Sequence, residues 1–96
     1  MNYINNLFTL TGKIAIVTGA KRGLGNTIAK ALHFAGAEVI GIDKLEITDE
    51  LFESYKCNIE QKEDISRLIE YCKSKYNKID ILVNNAGVGF GHDFLS

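Results

Sequence analysis

Proline is absent from this 96-residue chain, as are low-complexity segments and internal repeats. Nothing therefore marks a linker, and the length suits one small domain, residues 1–96, rather than two. Cysteine is scarce. Cys57 and Cys72 are too few and too far apart for a zinc motif, and both read as reduced core residues. Charge excess is missing too. The net charge is −1, which points away from nucleic acid, and the pair Lys21-Arg22 is too short to change that. No run of about 18 apolar residues occurs, so no membrane partner is expected. The chain does not open with a basic segment followed by an apolar block, so no secretory signal is expected and the reading is cytoplasmic. What remains is an ordinary globular composition, able to bury roughly 60–70% of its unfolded surface.

The informative stretch is Thr18-Gly19-Ala20-Lys21-Arg22-Gly23-Leu24-Gly25. It follows the apolar run Ile14-Ala15-Ile16-Val17 and precedes a helical pattern from Asn26 to Ala35. A glycine-rich turn between a strand and a helix suits a diphosphate, because free N–H groups and the helix dipole both favour negative charge there. One glycine permits the tight turn, one lets phosphate approach the backbone, and one lets helix and strand pack closely. The plain alternative is an ordinary tight turn; the flanking strand and helix favour nucleotide binding. Asp43 ends the next apolar run, Glu38-Val39-Ile40-Gly41-Ile42. A carboxylate there can accept from ribose hydroxyls and would repel a 2′-phosphate, which favours NAD over NADP. Arg22 argues the other way, since it could pair with that phosphate. Asp43 weighs more because its place at the strand end aims it at the ribose. Lys21 and Arg22 then serve to attract the diphosphate.

Strand and helix patterns alternate along the chain. Strands are expected at 13–18, 37–42, 55–58 and 79–84. A first helix spans 23–35, with Leu24, Ile28, Ala31, Leu32 and Ala35 on its apolar face and Gly36 as its stop. A second spans 62–76, with Ile65, Leu68, Ile69, Cys72 and Tyr76 as its stripe. Residues 44–54 form a connection, with a short helix expected at 49–52. The segment before Lys13 is expected to pack on the domain edge. Alternation of this kind means an α/β fold with a parallel sheet covered on both faces, the N-terminal half of a doubly wound Rossmann sheet in strand order 3-2-1-4. Ligands of such sheets bind beyond the carboxyl ends of the strands. Gly19 to Gly25, Asp43, Asn58 and the run from Asn84 to Gly87 all fall at those ends.

With these residues in place, the chain resembles the short-chain dehydrogenase/reductase family. The resemblance lies in the Thr-Gly-x-x-x-Gly-x-Gly turn, in Gly36-Ala37-Glu38-Val39 with Asp43, and in Asp80-Ile81-Leu82-Val83-Asn84-Asn85-Ala86-Gly87. The first motif is similar to 3-oxoacyl carrier-protein reductases, though Asp43 departs from their NADP pattern. The resemblance implies that Gly19 to Leu24 line the diphosphate and adenosine and that Asp43 holds the ribose. It implies that Asn58 and Ile59 contact adenine, and that Asn85, Ala86 and Gly87 border the nicotinamide side. It further implies hydride transfer between a nicotinamide and a small-molecule carbonyl or alcohol, and a homo-oligomer in the intact protein.

The family's Ser, Tyr and Lys come well after Asn-Asn-Ala-Gly, and the chain stops at Ser96. The expectation is a cofactor-binding fragment, inactive alone, with no catalytic residue among the 96. Tyr71 and Lys75 fit Tyr-x-x-x-Lys but precede the Asn motif and lie off the apolar stripe, so both are expected to face solvent. Other residues carry plainer readings. Asn84 and Asn85 divide between satisfying loop backbone and bordering the cofactor, His33 is a surface or edge residue, and His92-Asp93 is not expected to bind metal. Two other classes stay open: a non-catalytic NAD-binding remnant or regulatory module, and a Rossmann methyltransferase. Asn84-Asn85-Ala86-Gly87 argues against the methyltransferase, and the lack of Gly-Lys-Ser/Thr after the turn argues against a P-loop NTPase.

Overall fold

The computed structural model describes residues 9–85. Four strands among them form one parallel sheet in the order β3-β2-β1-β4. They are β1 (Ile14–Thr18), β2 (Glu38–Asp43), β3 (Glu53–Lys56) and β4 (Ile81–Val83). Two helices connect them, α1 (Gly23–Phe34) and α2 (Lys62–Tyr76). The expected fold class and strand order are those of the structure.

All five residues of β1 are buried, so both faces of the central strand are covered. The pleat separates two cores. Ala15, Val17 and Val39 face the cluster that contains Ala29, Ile28 and Leu32 of α1. Ile14, Ile16, Ile40 and Ile42 face the cluster built with Leu68 and Cys72 of α2. Small residues thus lie under α1 and isoleucines under α2. Ile40 and Ile42 are fully buried, and truncating either to alanine costs about 2–5 kcal/mol. Cys57 and Cys72 are buried free thiols, and burial pushes the pKa of both up.

Several boundaries differ from the sequence reading. Strand β3 begins two residues earlier than expected, at Glu53, and no helix forms at 49–52. Phe52 is buried instead and fills the space beside Gly41, where a Cβ would collide with its ring. Helix α1 turns a slightly different face inward, with Gly25 and Ala29 buried and Leu24 and Ala31 exposed. Ile69 of α2 is exposed as well. Strand β4 is three residues long. It is fastened to β1 by a reciprocal pair: Asp80 N–H donates to the Ile14 carbonyl at 2.8 Å, and Ile14 N–H donates to Asp80 Oδ2 at 2.8 Å. The described part of the lead-in, residues 9–12, packs on the edge, since Leu10 N–H donates to the Ala35 carbonyl at 2.7 Å and Leu10 rests on the first core.

Candidate functional site

The turn after β1 needs backbone that side chains resist. Gly19 and Gly23 have φ of 65° and 64°, in the left-handed region. Gly25 is fixed by crowding instead. A Cβ there would collide with the Gly19 carbonyl oxygen and lie 2.6 Å from Asn85 Nδ2. Helix and strand therefore touch through backbone at this point. Around Gly23 the situation is reversed, since a Cβ would meet nothing within 4 Å. Helix α1 starts there with Arg22 as N-cap, no side-chain cap and no acidic residue in its first turn. This helix start, with open space beside Gly23, carries the positive end of the dipole, which is the chemistry of an anion site.

The strand after the turn delivers a carboxylate beside it. Asp43 ends β2, and its two oxygens are each held by a backbone donor: Lys21 N–H to Oδ2 at 3.2 Å and Leu45 N–H to Oδ1 at 3.0 Å. Each oxygen retains a lone pair for a further donor. The Lys21 ammonium donates to the Glu46 carbonyl at 2.7 Å, so it is bound to the following loop. Arg22 and Leu24 are exposed at the mouth of the turn.

On the other side, Thr18 ties the turn to the segment after β4. Its hydroxyl lies 3.2 Å from Asn84 Oδ1 and accepts from Asn85 N–H at 2.8 Å. Asn85 Nδ2 donates to the Gly19 carbonyl at 3.4 Å. Both asparagines thus brace the loop. Ala86, Gly87, His92, Asp93 and Ser96 lie outside the described residues.

At the end of β3, Cys57 N–H donates to the Asp43 carbonyl at 2.9 Å, which sets Asn58 close beyond it. Asn58 Oδ1 accepts from Glu60 N–H at 3.0 Å, and Asn58 N–H donates to Asp64 Oδ2 at 2.9 Å. The side-chain carbonyl thus braces the turn that starts α2 and keeps a second lone pair, as the Asp43 oxygens do. Ile59 rests against the second core.

Thr18, Asn26 and Asp49 carry more of the site than the sequence revealed. Asn26 Nδ2 donates to the Ala20 carbonyl at 3.0 Å and to Asp49 Oδ2 at 3.3 Å. Lys30 adds an ion pair to Asp49 at 3.5 Å. Leu51 N–H, foremost among these donors, holds the Asp49 carboxyl below its usual range. Asp64 was legible as an acidic residue in the first turn of a helix; the Asn26–Asp49 pairing spans 23 residues and had no local signal.

Tyr71 and Lys75 form a separate cluster. Tyr71 is not solvent-facing: it is half-buried, with its ring 5.0 Å from that of Tyr55. Its hydroxyl and that of Tyr76 both bond the Glu53 carboxylate, and Lys75 Nζ lies 3.1 Å from the same group. Burial, reinforced by the Glu53 carboxylate, pushes Tyr76 up to about 12. Glu53 pairs in register with Ile40, three residues back from Asp43, or about 10 Å toward the amino ends of the strands. The cluster is a fastening of α2 to the outer strand. Among the described residues no group of three or more His, Cys, Asp or Glu could hold a metal.

Comparison with known proteins agrees with this geometry. The short chain dehydrogenase family profile matches residues 13–96. The chain is 39% identical over 92 residues to a 2-dehydro-3-deoxy-D-gluconate 5-dehydrogenase of Pseudoalteromonas atlantica, covering 83% of this chain and 36% of that protein. The structure superposes on ligand-free aldohexose dehydrogenase of Thermoplasma acidophilum with a TM-score of 0.77 at 31% identity, over 81% of this chain and 31% of the other. It also superposes on a 3-ketoacyl-(acyl-carrier-protein) reductase of Brucella melitensis complexed with NADH, with a TM-score of 0.70 at 29% identity, over 77% of this chain and 34% of the other. The chain thus spans about a third of the length of these relatives. From the crowded Gly25 contact to the profile match over residues 13–96, the chain belongs to the short chain dehydrogenase family.

Proposed function

We propose that these residues form the dinucleotide-binding part of an NAD-dependent oxidoreductase that moves a hydride between nicotinamide and a carbonyl or alcohol substrate. One observation carries the proposal: an uncapped helix start over open space stands beside a carboxylate held at the next strand end. Nicotinamide supplies the hydride chemistry when bound. The residues of this chain bind and orient it. Residues 19–24 line the diphosphate, which meets the N–H groups at the start of α1, with Arg22 exposed beside them. Asp43 accepts from the adenosine ribose hydroxyls, and its charge disfavours a 2′-phosphate. Following the strand ends outward from β1 to β2 to β3 brings the base to Asn58 and Ile59. In the opposite direction, Asn85, with Ala86 and Gly87, borders the nicotinamide side.

The NADH complex of the Brucella melitensis reductase supports a nicotinamide dinucleotide as the ligand. Titration calorimetry with NAD and NADP tests it. Saturable binding with NAD the tighter ligand is the expected result. Tighter binding of NADP contradicts the cofactor choice, and binding of neither contradicts the site.

A further inference from the structure

We infer that Lys21 is a positioning residue for the ribose end of the site and not a counter-ion for phosphate. The inference rests on the reading above that Asp43 meets the adenosine ribose. Lys21 acts twice on the same neighbourhood. Its backbone N–H donates to Asp43 Oδ2 at 3.2 Å, and its ammonium donates to the Glu46 carbonyl at 2.7 Å. One residue thus holds both the carboxylate and the loop that leaves it.

That loop, residues 44–52, contains neither helix nor strand. Ordering an irregular loop costs conformational entropy at every residue, so its placement depends on its anchors. Ile47 and Phe52 are buried in the core at its far end. Asp49 is tied to α1 through Asn26 at 3.3 Å and Lys30 at 3.5 Å. The near end has the Leu45 N–H on Asp43 Oδ1 and the Lys21 ammonium on Glu46. Two side-chain staples, Lys21–Glu46 and Asp49–Asn26/Lys30, therefore join the loop to the glycine turn and its helix. The staples hold the loop that carries Leu45, one of the two backbone donors on the Asp43 oxygens, and the wall beside them. Releasing either lets the carboxylate swing, which weakens the fit to two ribose hydroxyls and relieves the repulsion of a 2′-phosphate.

The test titrates the full chain with NAD and NADP over a range of salt. Lys21→Met is expected to weaken NAD about tenfold, as loss of a charged hydrogen bond does, and to lower the NAD/NADP affinity ratio similarly. The salt dependence of NAD binding stays that of the wild type, because no phosphate contact is lost. Lys21→Arg restores the ratio, since a guanidinium can donate to the same carbonyl. Asp49→Ala touches no phosphate and lowers the ratio too. Equal weakening of both nucleotides with a shallower salt dependence in Lys21→Met overturns the inference, because that is the signature of a counter-ion. Thermal melts accompany each variant. If Lys21→Met does not fold, an unchanged ratio in Asp49→Ala overturns the inference alone. A wild-type chain that binds neither nucleotide overturns the dinucleotide reading itself, and with it this inference.

Discussion

The backbone N–H of Lys21 donates to Asp43 Oδ2 at 3.2 Å, joining the glycine turn to the end of the neighbouring strand. Leu45 N–H holds the other oxygen at 3.0 Å, so the carboxylate is oriented by backbone alone, and in the proposed reading its charge disfavours a ribose 2′-phosphate. Asp43→Ala removes that charge. NADP affinity is expected to gain on NAD affinity by about 1–3 kcal/mol, read by calorimetric titration of both. An unchanged ratio would show that Asp43 does not face the ribose.

Gly25 and Gly23 should respond to the same substitution in opposite ways. Gly25→Ala drives a methyl into the Gly19 carbonyl and lowers the melting temperature, at a cost of about 1–3 kcal/mol or more. Gly25→Val is a harsher version of the same lesion, whereas Gly19→Val forces a β-branched residue into a left-handed φ of 65°. Gly23→Ala meets no neighbour but keeps a left-handed φ of 64°, a strain of about 1–2 kcal/mol. Its methyl fills the open space over the helix start, so NAD affinity should fall further than stability does. Unchanged NAD affinity in folded Gly23→Ala would remove the turn as the phosphate site.

Stability should fall at both ends of the pH scale for separate reasons. The Ile14 N–H, and then Lys78, hold the Asp80 carboxyl below its ordinary value of 3.8. A depressed folded pKa stabilises above the unfolded value, and the gain is lost as pH falls through the folded one. Asp80→Asn should therefore flatten the acid arm of the melting profile. Tyr76 is raised from 10.0 to about 12. Its contribution is complete below pH 10 and is lost as pH rises toward 12. Lys75, raised chiefly by its hydrogen bond to Glu53, adds to the same loss. Tyr76→Phe should flatten the alkaline arm; an unaltered alkaline arm would exclude the Glu53 cluster as its source.

The 96-residue chain should show no robust NADH oxidation with ketones or aldehydes, and Tyr71→Phe should change nothing in that assay. The Tyr71 hydroxyl is committed to Glu53, and the cluster lies about 10 Å back from the strand ends. Turnover that vanishes in Tyr71→Phe would make that cluster the active site.

Strand β4 pairs with β1 on one side only among the described residues, and Leu82 on it is 66% exposed. An open apolar edge promotes association. Light scattering on the 96-residue chain should detect oligomers that Leu82→Glu reduces. Scattering identical in the two proteins would place the contact elsewhere.

Strand order and both long helices were legible because short, near-continuous apolar runs alternate with stretches of 3.6-residue periodicity along the chain. The limits of α2 matched the expected 62–76, with Asn77 accepting the left-handed cap position at φ 67°. Strand β3 was misplaced because its outward residues, Ser54 and Lys56, are polar and the charged Glu53 shares its inner face with Tyr55, so little apolar pattern marks this sheet edge. The roles of Gly23, Gly25 and Asp43 follow from local motif and strand context. The long-range ties do not. Tyr71 turned inward because Glu53, 18 residues away, offers its carboxylate, and Lys21 found Glu46 rather than open solvent. Such pairings depend on the path of an irregular loop, and periodicity says nothing about that path.

The most direct test of the central claim is an amide-resolved NMR titration of the chain with NADH. The account predicts saturable shifts at residues 19–25, 43–45, 58–59 and 85, all at the carboxyl ends of the strands, with Tyr71 and Tyr76 unmoved. Shifts centred on the Glu53 cluster, or none at the glycine turn at saturation, would contradict it.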